Sequence, residues 1–308
     1  MEASRLLEAL RVPVGQVDVV LDTDTYNEID DQFALAYLLK SSDRLNCRAI
    51  CAAPFHNQRS ENAADGMEKS YEEIMKLLSL CGREDMVPSV FKGSTSFLCD
   101  EKTPVESDAA SEIVRLAHQY STEKPLYVVA IGAITNVASA ILMDPSIVEK
   151  IVVVWLGGHA LHWKDTREFN MKQDVAAARV VFGCGVPLVQ LPCCGVVSGF
   201  AVSEPELERW LIGVNPLCDY LATNTIQYMN EYHRGGVWSK VIWDVTAVAW
   251  LLNDAGRFMS ERMIHAPIPE YDGRYSLSED THFMKYIWHI HRDALFGDLF
   301  EKLRGNDK

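Results

Sequence analysis

Four aspartates fall within ten residues of the stretch Val19–Leu39, VVLDTDTYNEIDDQFALAYLL: Asp22, Asp24, Asp30 and Asp31. Carboxylates gathered this closely repel one another unless a cation or shared protons offset the charge. Two chemistries use such a cluster. Read as Asp-x-Asp-x-Thr, Asp22, Asp24 and Thr25 open a phosphoryl-transfer site with an aspartate nucleophile. Read as Asp-x-Asp followed by Asp-Asp, the same residues form half of a cage for a hard divalent cation, which takes about six to eight oxygen ligands. An N-cap and solvated turn carboxylates account for one or two of the four, not for their convergence. The phosphatase reading also needs a lysine after a middle strand and a later acidic pair. Neither WLGGH (155–159) nor IWDVTA (242–247) supplies them. The cation reading gains Asp244, which begins another helix in VIWDVTAVAWLL and returns a carboxylate from far along the chain.

The elements that must position these groups alternate. Apolar, β-branched runs at 17–22, 47–53, 126–131, 151–156 and 186–191 are separated by helical patterns near 30–40, 60–82, 133–143 and 174–183. This rhythm predicts right-handed βαβ crossovers and a mostly parallel sheet flanked by helices, a Rossmann-like α/β fold. Ligands in such folds sit beyond the carboxyl ends of the strands. The residues to watch are therefore Asp22 and Asp24, His56 and Asn57, 132–136, and Gly157-Gly158-His159. No repeat or linker divides the chain, so 1–308 reads as one domain. Residues from about 200 to 308 are expected to form a mostly helical cap or lid of that domain.

With 48% apolar and 23% charged residues, the 308-residue chain has the composition of an ordinary globular enzyme. A net charge of −14 and a pI near 5.1 argue against nucleic acid and anionic membrane surfaces as partners. The N-terminus MEASRLLEALRVPVGQ lacks a basic segment followed by a long apolar core, so a cytoplasmic location is expected. The uncharged run 180–202 is interrupted by Pro187, Pro192 and several glycines and reads as a buried strand with its turns. Eight cysteines without repeated Cys-x-x-Cys spacing read as reduced thiols. His159 and His162, three apart and without a clear third ligand, make a weak zinc signal.

Five segments in order, LDTD…DD (21–31), FHN (55–57), AIGAITNVA (130–138), REFNMKQD (167–174) and WDVTAVA (243–249), resemble the inosine-uridine preferring nucleoside hydrolase family, the calcium-dependent nucleoside N-ribohydrolases. The resemblance spans nearly the whole chain. It implies Asp24, Asp31 and Asp244 as Ca2+ ligands, with Ile131 contributing its backbone carbonyl. It implies Asp30, Asn57, Glu168, Asn170 and Asp244 as ribose contacts and Asp24 as general base on a metal-bound water. The implied reaction hydrolyses the N-glycosidic bond of a ribonucleoside to base and ribose, with inversion and no covalent intermediate, in nucleoside catabolism or purine salvage. A homo-oligomer, dimer or tetramer, is common in the resembled family. Uridine-accepting members carry His before the last aspartate. Trp243 here is similar to the purine-preferring branch, where it stacks on the base. No Trp in the 80–100 region forms an opposite wall, leaving Phe97 or Trp163 for it. Tyr228 and Tyr232, four apart on one helical face, are candidates for base contact, and His233 for proton donation.

The opening stretch also departs from the family pattern. Five residues, Thr25 to Ile29, separate the second and third aspartates where the family usually has three. Asn27 or Glu28 could reach the sugar, but an outward bulge is the simpler expectation. Besides the hydrolase, the aspartate-nucleophile phosphatase on Asp22 and Asp24 and a non-catalytic nucleoside- or ribose-binding protein stand as alternatives.

Overall fold

The computed structural model describes residues 3–234 and 236–305. A short helix α1 (Ala3–Ala9) leads into β1 (Val17–Thr23), whose last five residues are buried. Then follow α2 (Asp30–Lys40), β2 (Leu45–Ala52), α3 (Ala63–Cys81), β3 (Val90–Lys92), α4 (Asp108–Ala117), β4 (Leu126–Ala130) and α5 (Thr135–Met143). Next come β5 (Ile151–Leu156), α6 (Phe169–Gln173), α7 (Val175–Gly183) and β6 (Leu188–Leu191). β4 and β5 are buried along their whole length, as continuous apolar runs covered on both faces should be.

The remainder is less helical than its sequence pattern predicts. Two-residue strands β7 (Ala201–Val202) and β8 (Lys240–Val241) pair antiparallel, around α8 (Glu204–Trp210) and α9 (Pro216–His233). After α10 (Val245–Trp250) come β9 (Met259–His265), a small hairpin of β10 (Ile268–Pro269) and β11 (Tyr275–Ser276), β12 (Phe283–Ile290) and α11 (Arg292–Arg304). The C-terminal third is therefore a cap only in part, because β12 pairs with β6 and β9 forms the antiparallel edge of the central sheet. The sequence hides this: β9 is mostly half-buried and carries polar residues on an edge, so it lacks the apolar run of an inner strand.

The eight-stranded sheet has the order β3-β2-β1-β4-β5-β6-β12-β9. The chain runs outward from β1 in one direction through β2 and β3, then returns to β4 on the other side. Strand order thus reverses between β1 and β4, which is where open α/β sheets form their ligand crevice. Helices cover both faces over two apolar cores. No helix among the described residues is long and apolar enough to cross a membrane, and the eight cysteines are free thiols.

Candidate active site

Every group singled out after a strand lies near the carboxyl edge of the sheet. Asp22, next to last in β1, is fully buried, its Oδ1 accepting from Asn136 Nδ2 at 2.8 Å. Asn136 also donates to the Ala52 carbonyl at the end of β2, and its Oδ1 accepts from Ser94 N at 2.7 Å. One amide thereby joins β1, β2 and the loop after β3. A Cβ on Gly93 would stand 2.5 Å from that amide nitrogen, so only glycine leaves room for the joint.

Asp24, one step beyond β1, is fully buried and neither of its carboxylate oxygens has a hydrogen-bond partner. Gly132, after β4, lets it approach: a Cβ there would lie 3.0 Å from Asp24 Oδ1. Burial, then the neighbouring charges of Asp31, Asp30 and Glu168, hold the Asp24 carboxyl well above the usual range. Asp30 and Asp31 open α2, whose N-cap Ile29 offers no side-chain cap, so the helix end presents bare N–H groups near acidic residues. Asp31 accepts from Thr23 Oγ1 at 2.6 Å, and burial together with Asp30 pushes it up to about 8. Asp244 precedes α10 without capping it and stands close to Asp30 and Asp31, which line the same cavity. Its carboxyl, too, is raised by burial and by those two aspartates.

Above these groups opens a cavity of about 220 Å³, smaller than the roughly 300–1,000 Å³ of pockets that enclose a drug-sized ligand. It suits a sugar-sized moiety with the remainder of the ligand toward its mouth. Asp30, Asp31, Ile131, Glu168, Asn170, Trp243 and Asp244 all line it; Asp24 is fully buried and not on its wall, but close enough to Asp30, Asp31 and Glu168 for their charges to act on it. Glu168 is buried, not part of an exposed loop. It caps α6, accepting from Asn170 N at 2.8 Å and Met171 N at 2.9 Å, and also accepts from Gly158 N at 3.0 Å. Asn170 Nδ2 donates to the carbonyls of Ile131 at 2.9 Å and Leu156 at 3.1 Å, tying the ends of β4 and β5 together.

Other expected residues stand elsewhere. Asn57 is not on the cavity wall; its Nδ2 donates to Asn27 Oδ1 at 2.7 Å, and Asn27 takes its place there. Tyr228 faces a separate cleft behind the 25–29 loop, because that loop stands between the two. Tyr232 is 72% exposed and stacks on Tyr228, and His233 is exposed at the end of α9. Neither Phe97 nor Trp163 lines the cavity; Phe169 does, with Trp243. The loop 25–29 does not bulge outward. Asn27 N donates to Asp24 O at 2.6 Å, Thr25 Oγ1 pairs with Thr23 Oγ1, and Ile29 is buried, so Asn27 and Glu28 turn into the cavity. His159, Arg167, Cys193 and Cys194 line it as well. His159 follows the Gly-Gly turn after β5, a position that the strand-end rule marks for a site.

The donor set fits a hard cation better than a soft one: buried carboxylates with unpartnered oxygens and the Ile131 carbonyl. Among the described residues no three such side chains already stand in ligating geometry, so the aspartates are gathered but not closed around a point.

The family model for inosine-uridine preferring nucleoside hydrolases matches residues 19–282. A pyrimidine-specific ribonucleoside hydrolase, RihA, of Salmonella typhimurium is 29% identical over 283 residues, spanning 84% of this chain and 86% of its own. A purine-preferring ribonucleoside hydrolase from Gardnerella vaginalis superposes with a TM-score of 0.75 at 17% identity, over 94% of this chain and 98% of that one. An inosine-uridine preferring nucleoside hydrolase from Bacillus anthracis superposes at 0.70 and 15% identity, over 94% and 99%.

Proposed function

Because the chain belongs to the inosine-uridine preferring nucleoside hydrolase family, we propose that it hydrolyses the N-glycosidic bond of ribonucleosides, releasing free base and ribose. The observation that carries this reading is Asp24: fully buried, with both oxygens unpartnered, and within reach of the charges of Asp30, Asp31 and Asp244, which line the cavity. Family membership replaces the phosphatase alternative, and Thr25, tied to Thr23, is committed to the loop.

Asp24, Asp31, Asp244 and the Ile131 carbonyl are the groups that would hold a divalent cation, proposed as Ca2+, whose chemistry is to lower the pKa of a water and anchor oxygens. Asp24 is placed to accept the proton of a water that attacks the anomeric carbon, while the C–N bond breaks and the base departs, taking its proton from solvent. Asp30 and Asp244 accept hydrogen bonds from ribose hydroxyls, and Asn170 fixes the wall against which the sugar rests. Fixed carboxylates around the ring stabilise the positive charge that develops on the sugar, without reorganising as the bond breaks.

Ribose release from inosine or uridine is expected to depend on added Ca2+ after chelation. Asp24→Ala is expected to lower kcat by a factor of about 10²–10⁴, the usual loss of a general base. Release that is indifferent to this substitution would overturn the assignment, and phosphate release from a phosphomonoester would restore the phosphatase.

A further inference from the structure

Lys240 is a buried lysine, 7% exposed, in the short strand β8, four residues before Asp244. Its ammonium forms an ion pair with Glu28 Oε2 and stands 3.2 Å from Asp30 Oδ1. The second contact is close enough for charge pairing, though not aligned as a hydrogen bond. Glu28 belongs to the segment that lengthens the loop between Asp24 and Asp30. It lines the same cavity as Asp30. The loop that carries it is pinned from outside: Arg59 Nη1 donates to Asn27 O at 3.3 Å, its guanidinium lies 4.3 Å from the Tyr26 ring centre, and Tyr26 N donates to Ser70 Oγ.

An ion pair so placed is more than packing. A buried ammonium is costly unless paired, and this one is paired to two carboxylates that both face the cavity. A carboxylate offers about four lone-pair sites, and the ammonium takes one of Glu28's. The rest of the Glu28 head stays available at the wall beside the carboxylate assigned to ribose hydroxyls. We propose that Glu28 is an additional acceptor for a ribose hydroxyl, and that Lys240 is the positioning residue that holds Glu28 and Asp30 side by side. The inserted residues thus make the sugar wall of this chain rather than a surface ornament. This inference rests on the nucleoside-hydrolase reading above.

The test compares kcat/KM on inosine with that on its 2′-, 3′- and 5′-deoxy analogues for the wild-type protein, Glu28→Ala, Glu28→Gln, Lys240→Met and Lys240→Arg. Loss of a hydrogen bond to a charged group corresponds to roughly ten- to hundredfold in kcat/KM. Glu28→Ala is expected to lose that factor on inosine and to lose little on the one analogue that lacks the hydroxyl it reads. Lys240→Met should show the same analogue dependence, with Lys240→Arg recovering part of it. If Glu28→Ala does not fold, the isosteric Glu28→Gln carries the comparison. An equal loss on every analogue, or no loss, overturns the inference while leaving the hydrolase reading intact. A wild-type protein that cleaves no ribonucleoside, uridine included, overturns both.

Discussion

Trp243 is the residue whose chemistry bears most directly on which base departs. It shares the cavity wall with Asp244, the next residue, so the indole is fixed to the same turn that delivers a carboxylate to that wall. A large π-face beside the sugar pocket favours the larger ring system by stacking, worth about 0.5–1.5 kcal/mol beyond area alone. We therefore expect inosine to be cleaved faster than uridine. Trp243→Ala should cost inosine roughly two- to tenfold more in kcat/KM than uridine. Uridine as the faster substrate of the wild-type protein would refute the purine lean. At this scale the gathering of the aspartates was legible because carboxylates announce themselves by charge and spacing. Asn57 was not, since the residue that displaces it, Asn27, sits in a segment whose direction no periodicity encodes. Lys240 was equally silent: a lysine in a sequence reads as solvated until a structure buries it against Glu28.

The elements work through a few side chains that each serve several strand ends. Asp174, between α6 and α7, caps α7 by accepting from Ala177 N at 2.9 Å. The same carboxylate accepts from Leu98 N at 2.9 Å and from Thr135 Oγ1 at 2.7 Å, at the start of α5. It is buried, so its loss strands three donors away from water. A lost cap costs about 1 kcal/mol, and each buried unsatisfied group about 1–3 kcal/mol. Asp174→Ala is thus expected to destabilise the protein by about 3 kcal/mol or more, with Asp174→Asn intermediate. A urea midpoint within error of wild type would show that these donors find other partners. The alternating βαβ order was readable here because inner parallel strands are buried on both faces and their sequences are unbroken apolar runs. β9 and β12 were missed because an edge strand and its neighbour at the end of a sheet need no such run.

For the whole molecule, the gathered acidic groups set a conflict between function and stability. An acidic chain of net charge −14 buries carboxylates at one sheet edge, where each ionisation opposes the others. Glu168 isolates the effect, because it is spent on backbone N–H groups. Burial drives its carboxyl up from the usual 4.5 to about 7, against the lowering pull of the Asn170, Met171 and Gly158 amides. The folded state therefore holds this proton over a range in which the unfolded chain has already released it. By linkage, stability is undiminished below about pH 4.5, falls as pH rises toward 7, and is fully reduced above that. A raise of this size corresponds to roughly 3 kcal/mol. Glu168→Gln cannot ionise, and it retains one carbonyl acceptor for the amides. In chelated protein, the difference in unfolding free energy between wild type and Glu168→Gln should therefore move against the wild type by about that amount between pH 4.5 and 7.5. Parallel stability curves would mean that Glu168 titrates as a solvated carboxylate and that the cavity floor is wetter than its burial implies.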